Sequence, residues 1–112
     1  MDLQVHIAAL LSELVCTFGM PEGERPDVWV MGDELSKQGD QKRFSAWTVE
    51  SVLYALREIQ LGDRCNWKVV LRCYGQAKLY NGRTGGFVSS YRVNDALSCL
   101  EDVIATRIAR ES

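Results

Sequence analysis

Histidine occurs once in the 112 residues, proline twice, and none of the four cysteines lies in a Cys-x-x-Cys pair. Metal sites and redox motifs need such pairs, because a short loop must aim two sulfurs at one centre. Cys16, Cys65, Cys73 and Cys99 therefore read as buried thiols, and neither a metal nor a cofactor is expected. No Gly-x-Ser-x-Gly elbow, paired histidines or phosphate-loop lysine is present, which removes the familiar catalytic classes. Long apolar runs are missing too. The amino terminus, Met1-Asp2-Leu3-Gln4, carries an acid where a signal peptide carries basic residues, and His6, Ser12 and Glu13 interrupt the apolar positions that follow. Neither a secretory signal nor a membrane span fits, so a soluble, cytoplasmic protein is expected.

What is present is the balance of a globular chain, with 46 % hydrophobic and 25 % charged residues, enough for one self-supporting core over 1–112. Leu3, Ile7, Leu10, Leu14 and Phe18 recur at helical spacing, widened by Leu11 and Val15, and predict an amphipathic helix over 1–18 ended by Gly19 and Pro21. Residues 19–46 read as an irregular, charged segment with one short strand, Val28-Trp29-Val30-Met31, and room for a short helix around 34–38. A second helix is expected over 48–61, with Val49, Val52, Leu53, Leu56 and Ile59 inward, Ser45 or Thr48 as cap, and Gly62 at its end.

Three strands follow in this reading. Residues 67–74 are rich in β-branched and aromatic types and end at Gly75. Residues 77–80 end at Asn81-Gly82, a pair suited to tight hairpins, and Gly85-Gly86 lead into 87–93. The run Gly82-Arg83-Thr84-Gly85-Gly86 then lies between strands, without the helix N-terminus that a phosphate cradle uses. A last helix begins at Asn94 and runs to 110 with Leu97, Leu100, Ile104 and Ile108 inward, and Arg107 and Arg110 at the end that favours cations. The expected class is α+β, in the order α-β-α-β-β-β-α, with helices on one face of an antiparallel meander.

Charge is unevenly spread along the chain. Between Asp63 and Asp95 there is no acid, while Arg64, Lys68, Arg72, Lys78, Arg83 and Arg92 all fall there. The formal charge of −2 thus divides into +6 in this interval and −8 elsewhere. Strand alternation would put Lys68, Arg72, Tyr74, Lys78, Tyr80 and Arg92 on one sheet face, as candidate partner-binding residues with the tyrosines as anchors. Such a face suits an acidic protein surface by charge complementarity, or nucleic acid by phosphate neutralisation and stacking. An ordinary solvated face, with lysines guarding the sheet edges, fits the same residues. Trp29, Trp47 and Trp67 are expected in the core or half buried.

The expected helix–three strands–helix order over 48–110 resembles a double-stranded-RNA-binding domain in outline. That family has a lysine-rich start to its last helix, whereas Asn94-Asp95-Ala96-Leu97-Ser98 is acidic here, so the match is not kept. The expected meander over 67–91, followed by a terminal helix, resembles small phage and mobile-element inhibitors of the anti-CRISPR kind. That resemblance implies a protein that occupies a partner's surface, such as a host defence or nucleic-acid-processing complex, without catalysis. A non-enzymatic interaction module with a protein or ribonucleoprotein partner is the leading expectation, and a homodimer through the first helix or the unpaired edge of the meander stays open. Direct nucleic-acid binding is the alternative, and a small enzyme or ligand-binding domain the third.

Overall fold

The first stripe folds as its spacing dictates. In the computed structural model, which describes residues 3–19, 41–83 and 91–111, helix α1 runs Leu3–Phe18 and buries Ile7, Leu10 and Leu14. Leu11 and Val15 pack against the same core, while Leu3 and Phe18 stay exposed at the two ends. Gly19 ends the helix at φ +82°, and its N–H donates to the Val15 carbonyl at 2.8 Å. A side chain there would be strained, which is why glycine occupies the position.

Helix α2, Gln41–Ile59, begins seven residues before the expected start at 48. Residues 41–46 thus belong to the helix, and Thr48 is a buried interior residue rather than its cap. All of residues 51–56 are buried, so α2 is covered on nearly every side, and it packs against each of the other three helices. Ser51, inside this apolar surround, donates its hydroxyl to the Trp47 carbonyl at 2.7 Å, which satisfies a group that is costly to bury alone. Gly62, at φ +61°, closes the segment as expected and opens a 3₁₀ turn, Gly62–Arg64.

The meander is not formed. Among the described residues the architecture is four α-helices and one 3₁₀ turn, without a strand, and this overturns the α+β order. Trp67–Arg83 is a single helix, α3, in place of the strands at 67–74 and 77–80. Its buried residues are Val70, Cys73, Ala77 and Tyr80, spaced 3, 4 and 3 apart, which is the helical period and not the strand period. Asn66 caps it by accepting the Lys68 N–H on Oδ1 at 3.1 Å, and its own N–H donates to Glu58 Oε1 at 2.8 Å. Gly75 and Gly82 lie inside the helix and are exposed. Without a meander, the architecture that carried the resemblance to phage and mobile-element inhibitors is gone, and so is the outline of an RNA-binding domain.

Helix α4 spans Tyr91–Glu111, so the expected strand at 87–93 is helical from 91 onward and Asn94 is not its cap. Its buried stripe is Val93, Ala96, Leu100 and Val103, with Cys99 beside it. Leu97 and Ile104 are partly buried, and Ile108 is exposed. The α2–α3 neighbours run antiparallel, because Trp47 near the start of α2 meets Tyr80 near the end of α3 and Glu58 at the end of α2 meets Asn66 at the start of α3, while the start of α3 meets the end of α4 through Trp67 and Arg107. All four helices feed one apolar cluster. The expected strand at 28–31, the helix around 34–38, Trp29 and the glycine run from Thr84 lie outside the described residues.

Candidate interaction surface

Helix α3 carries Lys68, Arg72, Lys78 and Arg83 and no acid. At 100° per residue, the exposed Lys68, Leu71, Arg72, Gly75, Lys78 and Gly82 fall within about one third of the helix circumference. Lys68 and Arg72 sit on adjacent turns at i and i+4, near enough for like charges to repel. Lys68 also stands in the first turn, whose donor groups and dipole favour an acid, and no acid is present there. The cationic face is therefore held against the electrostatic preference of its own helix.

The six candidate residues divide. Lys68, Arg72 and Lys78 share the outer side of α3 and are exposed. Tyr74 is half buried against the core, with Lys78 Nζ 5.5 Å from its ring centroid. Tyr80 is only 3 % exposed and packs its ring 5.2 Å from that of Trp47, tilted by 51°, so it anchors α3 to α2. Arg92 belongs to α4 rather than to this face, and its side chain lies outside the described residues. The shared sheet face is thus corrected to a cationic helix face, and neither tyrosine is its exposed anchor.

Among the described residues, clefts open between α3 and α4 and between α1 and α4. One, of about 100 Å³, lies between α3 and α4 and is lined by Trp67, Leu71, Ile104, Arg107 and Ile108. The Arg107 guanidinium lies 4.4 Å from the Trp67 ring centroid, a cation–π contact. Leu71 and Ile108 are 49 % and 59 % exposed, large values for such side chains. The sequence pattern predicts Ile108 in the core stripe, and the structure leaves it exposed. No spacing signal sets Ile108 apart, because it continues the Leu100–Ile104 row at i+4 and is exposed only because that row runs past the end of the core.

The other cleft, of about 390 Å³, lies between α1 and α4 and is lined by Leu3, His6, Leu10, Asp95, Ser98, Cys99 and Asp102. It brings together a histidine, a thiol and two carboxylates. Burial, and then the Asp102 charge, raise the Cys99 pKa, so the thiol is held protonated rather than activated as a nucleophile. Burial, then Glu58, also push up Cys65, with Arg107 opposing. Among the described residues no three such side chains, those lining this cleft included, are placed so that they could hold a metal ion, and no helix is long and apolar enough to cross a membrane. Comparison with known protein families, curated proteins and solved structures yields no match.

Proposed function

We propose that the chain is a non-enzymatic interaction module that captures an acidic protein or ribonucleoprotein surface through the outer side of α3. The observation that carries this reading is the acid-free helix with Lys68, Arg72 and Lys78 exposed together on one side. Exposed cations steer encounter and select partners of opposite sign. Exposed Leu71 among them adds an apolar contact, which favours a protein partner over a phosphate backbone. Tyr80 is buried and Tyr74 half buried beneath Lys78, which leaves this side without a row of exposed rings on which bases would stack. Four free cysteines suit a reducing compartment, and the cytoplasm is the proposed location.

The test is fluorescence anisotropy of labelled protein titrated with polyglutamate and with single-stranded and duplex oligonucleotides, at low and near-physiological salt. The module reading expects polyglutamate binding that is lost in the triple variant Lys68→Glu, Arg72→Glu, Lys78→Glu. Polyglutamate binding that survives the triple variant overturns it. Oligonucleotide binding that persists at the higher salt and disappears in the same variant moves the function to nucleic acid, since merely non-specific phosphate attraction is lost as salt rises.

A further inference from the structure

We infer that the acidic surface captured by α3 is the α1–α4 cleft of a second copy of this chain. This rests on the reading of α3 as the partner-binding face and names what lands on it. The cleft, of about 390 Å³, has Leu3 and Leu10 on its α1 wall and Asp95, Ser98, Cys99 and Asp102 on its α4 wall. Among the described residues no lysine or arginine lines it, and neither carboxylate has a hydrogen-bond or salt-bridge partner. Exposed Glu101, beside Asp102, and exposed Glu13, one turn past Leu10, add to the negative sign. These four acids stand against one base, Arg92, a turn before Asp95 in the sequence.

The chain itself carries the complement. The exposed third of α3 holds Lys68, Arg72 and Lys78 and no acid, with Leu71 next to Arg72 and one turn from Lys68. Leu71 is 49 % exposed although it lines the α3–α4 cleft. An apolar anchor flanked by cations is what a helix laid into an acid-rimmed apolar groove presents. Leu71 then meets the Leu3 and Leu10 side of the cleft, while the flanking cations reach Asp95 and Asp102 over their apolar stems. The other charges near the start of α3 offset one another. Glu58 accepts the Asn66 N–H and acts on Cys65 with the opposite sign to Arg107, and Asp63 adjoins Arg64. The two halves of the contact do not compete within one copy, because the α1–α4 cleft uses 95–102 of α4 and the α3 side uses 104–108.

The test is sedimentation velocity of the intact chain, from micromolar to sub-millimolar concentration, at low and near-physiological salt. Species heavier than the monomer should grow with concentration and recede as salt screens the charges. Two neutralising variants separate the halves: Lys68→Gln, Arg72→Gln, Lys78→Gln on α3, and Asp95→Asn, Asp102→Asn in the cleft, all at exposed positions. Each alone should raise the concentration of half association at least about tenfold. An equimolar mixture supplies one intact α3 and one intact cleft, so it should form a 1:1 pair and nothing larger. That pair also shows both variants to be folded. A wild-type chain that stays monomeric while polyglutamate binding is intact overturns this inference and leaves the cationic-face reading standing. A monomeric chain that also fails to bind polyglutamate overturns both. Association that survives either variant, or a mixture that stays monomeric, overturns the pairing of α3 with the cleft.

Discussion

Single residues in this bundle are tuned by burial more than by partners. Cys73 and Cys99 are buried while Cys16 is exposed. Titration with a thiol reagent should therefore modify Cys16 first and Cys99, which edges the α1–α4 cleft, much later, and reach Cys73 only after denaturant. Mass spectrometry of tryptic fragments reads the order directly. Glu50 gives a second case, because burial raises its carboxyl pKa above the ordinary value. The folded state then holds its proton to higher pH than the unfolded chain does. Between the unfolded and folded pKa values the native state binds more protons, so this residue's contribution to stability falls as pH rises through that window. Glu50→Gln removes the buried charge. It should raise Tm at neutral pH and leave Tm nearly unchanged where the wild-type carboxyl is already protonated. Thermal melts across the acid range check the sign.

Elements show where local propensity and periodicity part company. In 67–83, the β-branched and aromatic residues, Gly75 and Asn81-Gly82 all speak for strands and turns, yet Val70, Cys73, Ala77 and Tyr80 sit at helical spacing and are buried together. Burying that stripe against α2 outweighs propensities worth at most about 1 kcal/mol per residue. A glycine test separates the two structures. Gly75 and Gly82 have no positive φ, and a Cβ at either meets open space. Gly75→Ala should then stabilise the protein by about 0.5–1 kcal/mol in urea melts, and Gly82→Ala should not destabilise it. In a hairpin built on Asn81-Gly82, alanine at 82 would need a positive φ and cost stability. Much of the rest was legible. The α1 stripe, the inward face of α2 and the two terminating glycines, Gly19 and Gly62, follow from spacing alone. The N-terminal extent of α2 was hidden because 41–46 is polar, and the cap at Asn66 went unread because 67–74 resembled a strand. The cationic residues were visible as a charge asymmetry. Their common face was not, because a face depends on whether the period is 2 or 3.6.

At the scale of the whole molecule, the charge pattern sets apart one helix that is wholly basic from a remainder that is acidic. Such an arrangement costs some stability, because the basic helix repels itself and places Lys68 where its dipole prefers an acid. Local rules of this kind are broken where a surface is used for something else. The consequence is a separation of stability from binding. Lys68→Glu puts an acid in the first turn of α3 and opposite charge one turn from Arg72. It should stabilise the fold by about 0.3–1 kcal/mol and at the same time weaken acidic-peptide binding, mostly by slowing association, since exposed charges act over a screening length of about 8 Å at physiological salt. Leu56→Ala, at a fully buried position of α2, should do the reverse. It should lower stability by about 2–5 kcal/mol and leave the association rate of the molecules that remain folded unchanged. Paired urea melts and stopped-flow association traces on the two variants test the separation. A loss of both properties in Lys68→Glu would show that the cationic side of α3 is needed to hold the bundle together and is not a surface reserved for a partner.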